Sequence, residues 1–423
     1  MKASLSLLSK TQLFTSYRQK AFAFGLLLIL FNISIIVQYM QYQKLTEFDD
    51  YITDVYVEKQ YKKKNYWVLK LQSDEDFSFY TTSRDNLKNI EGESIRIRLF
   101  IKDLNFLSFL QGFYSPSQIL GRIGNKQARY FFMQELETMH TKETVPLYKA
   151  LYFAGTIPAH LRHKLSALGI NHLLAISGFH LGVLSFILFF ILKPLYQVFQ
   201  KELFPFRNAH RDIALLVFVL LFAYLYFLDF VPSLLRAYAM SLFAYILYDR
   251  GVKILSFYSL FLVVSFLIAL WPKLIFALGF WFSVAGVFYI FLFLYHMKDL
   301  KPWQSFILLH FWVYMTMLPL VHYFFGSFSL YQLYSPLLTM GFILFYPLSL
   351  LLHLFGQGYI LDSSLQWLLN LDIIVTEIFI PLWFFIFYLF ISLLSTLYRF
   401  FFFLLFLFSI SVLGYFLYGV TQF

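Results

Sequence analysis

The sequence predicts a polytopic α-helical membrane protein with a folded β domain inserted after its first span. Three observations carry this. Of 423 residues, 60% are apolar, and the mean hydropathy of +0.68 lies outside the range of water-soluble chains. Apolar runs of spanning length number about 9–10, some of them broken or re-entrant. Between the first run and the others lies a polar stretch, residues 41–171, with 18 of the 33 basic residues, 15 of the 23 acids and a net charge of +3.

Composition also excludes some chemistry. There is no cysteine, hence no disulfide and no thiolate metal site. The ten histidines are scattered; His160 and His163 are three apart but have no further ligand near them, so they read as a surface pair, and no metal or cofactor is expected. No Gly-x-x-x-x-Gly-Lys-Ser/Thr run is present, so ATP hydrolysis is not assigned and the driving force falls to a partner or a gradient. The 56 Phe and 31 Tyr suit lipid-facing positions better than a binding code.

Residues 1–40 form an N-terminal segment and first span. Lys2, Lys10, Arg18 and Lys20 precede an apolar stretch from 21 to 40, which at about 1.5 Å per residue matches a hydrocarbon core of about 30 Å. Val37-Gln-Tyr-Met40 offers no cleavage site, so the span is read as retained, with the N-terminus in the cytoplasm.

Residues 41–103 read as a small extracytoplasmic barrel. Ile95, Ile97, Leu99 and Ile101 alternate with Arg96, Arg98 and Phe100, and Tyr66 to Leu71 and Phe77 to Tyr80 are further strand-like runs. Lys62, Lys63, Lys64, Tyr66 and Trp67 combine cations with stacking rings, as a single-strand site requires. The competing reading is a solvated lysine turn over core aromatics, and the near-neutral total argues against a strongly electrostatic clamp. Residues 104–171 read as an amphipathic helical linker, with 104–120 apolar enough to lie against the membrane.

Residues 172–423 hold apolar runs near 172–192, 212–230, 233–249, 254–271, 274–296, 304–325, 330–355, 373–395 and 400–420. Lys193, Lys201, Arg207 and Arg211, then Arg250 with Lys253, then Lys298 with Lys301, fall in alternate loops, as cytoplasmic loops should. Pro336, Gly341 and Pro347 suggest that 330–355 is a broken helix or a re-entrant pair. Asp229 and Arg236 are either an interfacial ion pair or, for Arg236, a polyanion contact.

The stretch Asn171 to Leu184 concentrates His172, Ser177, Gly178, His180 and Gly182 at the start of a span, where polar groups are costly and point to function. His172-Leu-Leu-Ala-Ile-Ser-Gly-Phe-His180 resembles the signature of the ComEC family, the inner-membrane DNA-uptake channel of natural transformation. The likeness continues upstream through Ala150-Leu-Tyr-Phe-Ala-Gly155, Ile157-Pro158 and Leu168-Gly-Ile-Asn-His172. Pro232-Ser-Leu-Leu-Arg-Ala237 resembles a second block and Gly279-Phe-Trp-Phe-Ser283 a third. Phe179 departs from the usual Leu, and Ser335 stands about where family members carry an Asn.

The resemblance implies an OB-like form for the β domain and transport of single-stranded DNA across the cytoplasmic membrane, with no enzyme activity in this chain. The pore candidates are His172, Ser177, Gly178, His180, Gly182, Arg236 and Ser283. Many family members end in a metallo-β-lactamase-like domain with a His-x-His-x-Asp-His run. That run is absent, so the chain resembles the short form, and a separate nuclease is implied beside an extracytoplasmic DNA receptor and cytoplasmic single-strand-binding proteins; self-association is left open.

Two other functions fit parts of the sequence. A lipid or solute transporter would suit the spans, but no internal repeat favours it. An intramembrane serine protease would use Ser177 with His180 on one helix face, yet no third group or oxyanion donor accompanies them.

Overall fold

A computed structural model describes residues 16–63, 65–75, 77–84, 90–123, 128–251 and 255–421. The chain divides into two compact units: Met1–Glu135 with Leu262–Phe280, and Leu136–Phe261 with Trp281–Phe423.

In the first unit, α1 (Tyr17–Thr46) starts at a reciprocal cap. Ser16 Oγ accepts from the Gln19 N–H at 3.2 Å, and Gln19 Oε1 accepts from the Ser16 N–H at 3.3 Å. There follow β1 (Asp50–Lys62), β2 (Trp67–Ser73), β3 (Ser78–Ser83), β4 (Ser94–Phe100), α2 (Phe106–Gln111), β5 (Phe113–Tyr114) and β6 (Ser117–Arg122), in the sheet order β5-β3-β2-β1-β4-β6.

The alternation in β4 works as its sequence suggests: Ile95, Ile97 and Leu99 are buried with Val55, Val57, Leu69, Leu71 and Phe79, while Arg96 and Phe100 are exposed. Strand β5 runs parallel to β3, and β6 runs antiparallel to β4. Only Ser115-Pro116 separates β5 from β6, so one stretch of chain joins both edges and closes the sheet. Ser115 makes the joint, its N–H donating to the Tyr80 carbonyl at 2.9 Å and its Oγ–H to the Phe100 carbonyl at 2.9 Å.

This corrects the helical reading of 104–120. Gly112, at φ +88°, ends α2 after six residues, and Pro116 would break a helix interior. Residues 113–122 therefore complete the barrel as strands.

Helix α3 (Ala128–Met139) leads into the second unit, which holds α4 (Val145–Phe153), α5 (Ala159–Ala167), α6 (Asn171–Leu174), α7 (Gly178–Leu203), α8 (Ala209–Phe227), α9 (Pro232–Asp249), part of α10 (Phe257–Leu270), most of α11 (Leu278–His296), α12 (Pro302–Phe324), β7 (Ser327–Phe328), α13 (Ser335–Leu354), α14 (Asp362–Leu369), β8 (Thr376–Glu377), α15 (Leu382–Leu394) and α16 (Arg399–Thr421).

Among the described residues, seven helices are long and apolar enough to cross a membrane: α1, α7, α8, α11, α12, α16 and the stretch Leu330–Leu354 that contains α13. Fewer spans are found than the nine or ten expected, because the runs that form α9, α10 and α15 are not among these seven. Helices α10 and α15, with 14 and 13 residues, extend only about 20 Å, short of a hydrocarbon core of about 30 Å. The run at 373–395 starts in extended chain, where β8 pairs with β7, so only its second half is helical. Helix α13 is continuous through Pro347, neither broken nor re-entrant. Helix α7 passes Pro194 and ends at Leu203, so much of what reads as a loop after residue 192 is helix.

The basic ends of α8 and α9 meet. Arg207 pairs with Asp212 at 2.7 Å and Arg211 with Asp249 at 3.3 Å, so the two loops that the charge pattern assigns to one side do lie at one end of this helix pair. Lys253 lies outside the described residues.

Candidate functional site

The signature is a helix break held in a polar clamp. Helix α5 ends in a left-handed Gly169, φ +71°, with the Ile170 N–H donating to the Leu165 carbonyl at 3.0 Å and the Gly169 N–H to the Ser166 carbonyl at 2.9 Å. Three side chains from the segment entering α13 take the carbonyls of this turn. Ser329 Oγ reaches Ala167 O at 2.5 Å, Gln332 Nε2 reaches Ser166 O at 3.0 Å, and Ser335 Oγ reaches Gly169 O at 3.0 Å. After the single turn of α6 the chain leaves the helix at Ala175 and re-enters one at Gly178.

Ser177 caps α7, and His180 answers it. The imidazole Nδ1 lies 3.2 Å from the Ser177 amide N and 3.2 Å from Ser177 Oγ. His180 thus fills the position that Glu or Gln takes in an ordinary capping box. An Nδ1 that accepts the amide proton leaves the ring's own proton on Nε2. His180 is fully buried, its Nε2 without a hydrogen-bond partner. Its ring stands edge-on to Tyr346 at 4.7 Å and to Phe342 at 5.5 Å, both on α13. Phe179 packs on the same Phe342 at 5.7 Å, which gives the departure from Leu a packing partner.

The other candidates divide. A Cβ on Gly178 would stand 3.7 Å from Ala237 Cβ, so α7 and α9 approach closely here. Gly182 faces open space and is no close-approach glycine. His172 is exposed on α6, and Ser283 is exposed on α11, outside the aromatic contacts of His180. Arg236 is half-buried beside Ala237, and its Nε is buried without a partner.

The ion pair weighed for Arg236 with Asp229 is not formed. Asp229, φ +58°, instead provides the left-handed turn between α8 and α9, with the Phe230 N–H bonded to the Leu225 carbonyl at 3.0 Å. The structure therefore brings Ser177, Gly178 and His180 together at the start of α7, with Arg236 next in the chain to the Ala237 that Gly178 faces. Sequence reading missed Ser329, Gln332, Phe342 and Tyr346. Ser329 and Gln332 had a signal, as polar residues interrupting an apolar region.

In the barrel, Lys62, Lys63 and Tyr66 are exposed at the β1–β2 hairpin tip and Trp67 is half-buried; Lys64 lies outside the described residues. Lys62 Nζ sits 5.6 Å from the Trp67 ring centroid. Several other barrel cations pair with acids: Lys70 with Glu58 at 2.7 Å, Arg98 with Asp50 at 3.4 Å, Arg122 with Glu93 at 3.5 Å. Arg96 forks onto Asp54 at 2.6 and 2.8 Å, which holds that carboxyl below the usual carboxylate range.

Multiple spanning helices with a polar, capped break at the start of one of them define a polytopic membrane protein whose distinctive feature is the signature. Over residues 153–419 the chain matches the Competence protein family, and it belongs to that family. No curated protein and no solved structure matches it.

Proposed function

We propose that this protein carries single-stranded DNA across the cytoplasmic membrane during transformation, with the neighbourhood of Ser177, Gly178, His180 and Arg236 on the route. The observation that carries the reading is Arg236, a guanidinium with a buried, unpartnered Nε and no carboxylate paired with it among the described residues, beside a helix break. A permanent cation without its own acid is costly to maintain in such a place and suits a passing polyanion. A single guanidinium holds phosphate less tightly than a cluster of lysines would, and a channel must release its cargo.

The barrel's strand order, closed through β5 and β6 with β3 and β5 parallel, supports an OB-like form, and its exposed Lys62 and Lys63 with Tyr66 suit a light grip on a strand. The basic loops support a cytoplasmic N-terminus and an external barrel. On this reading a separate DNA receptor, nuclease and cytoplasmic single-strand-binding proteins serve the same process. His180 is a helix-capping residue here, which supports transport over serine hydrolysis.

Deletion of the gene tests the reading. DNA should still accumulate outside the cytoplasmic membrane while none enters the cytoplasm; unchanged entry would refute it.

A further inference from the structure

Away from the signature, three ionisable side chains form an unbroken chain at the far end of α13. Asp362 Oδ1 lies 2.9 Å from His140 Nδ1, His140 Nε2 lies 2.9 Å from His353 Nε2, and His353 Nδ1 lies 2.6 Å from the Ser349 carbonyl oxygen. The His140 side chain is 0% exposed and the Asp362 side chain 8%. Asp362 Oδ2 also accepts from the Thr141 N–H at 3.1 Å.

The hydrogen-bond inventory fixes the proton count. A carbonyl only accepts, so His353 Nδ1 bears a proton. Two facing Nε2 atoms need one proton between them, and a further one must lie between His140 Nδ1 and Asp362. Every arrangement that satisfies all three bonds holds one proton more than a carboxylate with two neutral imidazoles. The trio then has no net charge, the state that burial favours.

A metal between the imidazoles fits poorly. Two nitrogens on a tetrahedral zinc stand about 3.3 Å apart, and a Cβ on Gly358 would already lie 2.7 Å from His353 Nε2. Among the described residues no group of three His, Cys, Asp or Glu is placed to hold a metal.

The neighbours do not supply the missing charge. Tyr148 stacks on His140 at 4.1 Å and meets His353 at 4.9 Å. Tyr152 meets His353 at 5.1 Å and bonds Ser349 Oγ at 2.6 Å. Gln366 of α14 is neutral and bonds Thr141 Oγ1 at 2.9 Å. Glu137 and Lys149 pair with each other, and Lys142 and Glu143 are exposed.

We infer that Asp362, His140 and His353 form a buried site for a single proton, and that this proton locks the Thr141 turn and α14 onto α13. Loss of the proton leaves two lone pairs facing each other and a net negative charge in a buried place, so the lock opens.

Hydrogen exchange at the Thr141 amide, on the full chain in lipid nanodiscs, tests this once rates are corrected for intrinsic base catalysis. Above about pH 6.5, where histidines in an opened segment have lost their protons, protection in the wild type should fall about tenfold per pH unit. Asp362→Asn imitates the protonated acid. Its amide oxygen accepts from Thr141 and its N–H donates to His140 Nδ1, so protection should be retained and become independent of pH. Asp362→Ala should lose it at every pH.

Flat wild-type protection from pH 6.5 to about 9, or an Asn variant as unprotected as Ala, would overturn the inference. Loss of wild-type protection on adding a chelator would also overturn it, in favour of a metal. Should the Asn variant fail to insert, the wild-type profile and the chelator arm decide alone.

Discussion

Gly169→Ala should destabilise the second unit by about 2–3 kcal/mol, a figure that follows from two separable effects. Gly169 stands at φ +71°, where an L side chain costs about 1–2 kcal/mol. The new Cβ would lie 3.1 Å from Ser335 Cβ and 3.2 Å from Ser335 Oγ. Ser335 must give way, and its 3.0 Å bond to the Gly169 carbonyl, a contribution of about 1 kcal/mol, is lost with the movement. In a Ser335→Gly background the crowding and that bond are already absent, so Gly169→Ala should cost only the backbone part. The cycle should therefore show a coupling of about 1 kcal/mol. Unfolding of purified protein by detergent titration in mixed micelles measures all four variants. A cost below about 0.5 kcal/mol for Gly169→Ala, or the same cost in both backgrounds, would refute the clamp.

The signature yields its own expectations. Ser177→Ala should lower stability by about 1 kcal/mol, as loss of a helix cap does, and leave DNA entry largely intact; complete loss of entry at normal abundance would instead indicate a nucleophile. His180→Gln, whose amide still accepts the Ser177 N–H, should be milder than His180→Leu in both abundance and DNA entry, and equal effects would contradict the capping role. Gly178→Ala should be tolerated, since its Cβ meets Ala237 at an ordinary 3.7 Å, whereas Gly178→Leu should wedge α7 from α9 and block entry. Reporter fusions near residues 90 and 204 should report opposite sides of the membrane, and the same side for both would sink the orientation.

The membrane class and the barrel's first strands were legible because hydropathy and period-two alternation are local properties: Ile95, Ile97 and Leu99 face the barrel core as their spacing implies. What failed depended on distant partners or on helix length. Phe113 to Arg122 looks helical by apolar content and becomes strand because Gly112 and Pro116 cut it and two open edges await it. The run at 373–395 is apolar apart from Thr376, Glu377 and two serines, yet the pairing of Thr376 with Phe328 keeps its first half extended.

The same division holds at the site. Ser177 and His180 stand out in the motif, but their reciprocal cap depends on rotamer, and the spacing that suggests Asp229 as an acid partner for Arg236 carries no sign of its left-handed turn. The chain His140–His353–Asp362 could not be read at all, since its members stand 213 and 222 residues apart along the sequence.

The central claim, that a DNA strand passes the signature, is tested most directly at Gly182, which lies one turn beyond Gly178 on α7 and has open space where a Cβ would stand. A photoreactive side chain placed there should be accommodated without repacking. Irradiation during uptake should link the protein to single-stranded DNA, and the link should disappear in the Arg236→Gln background at equal abundance. Crosslinks only to protein or lipid, while DNA is entering the cytoplasm at the normal rate, would contradict the account.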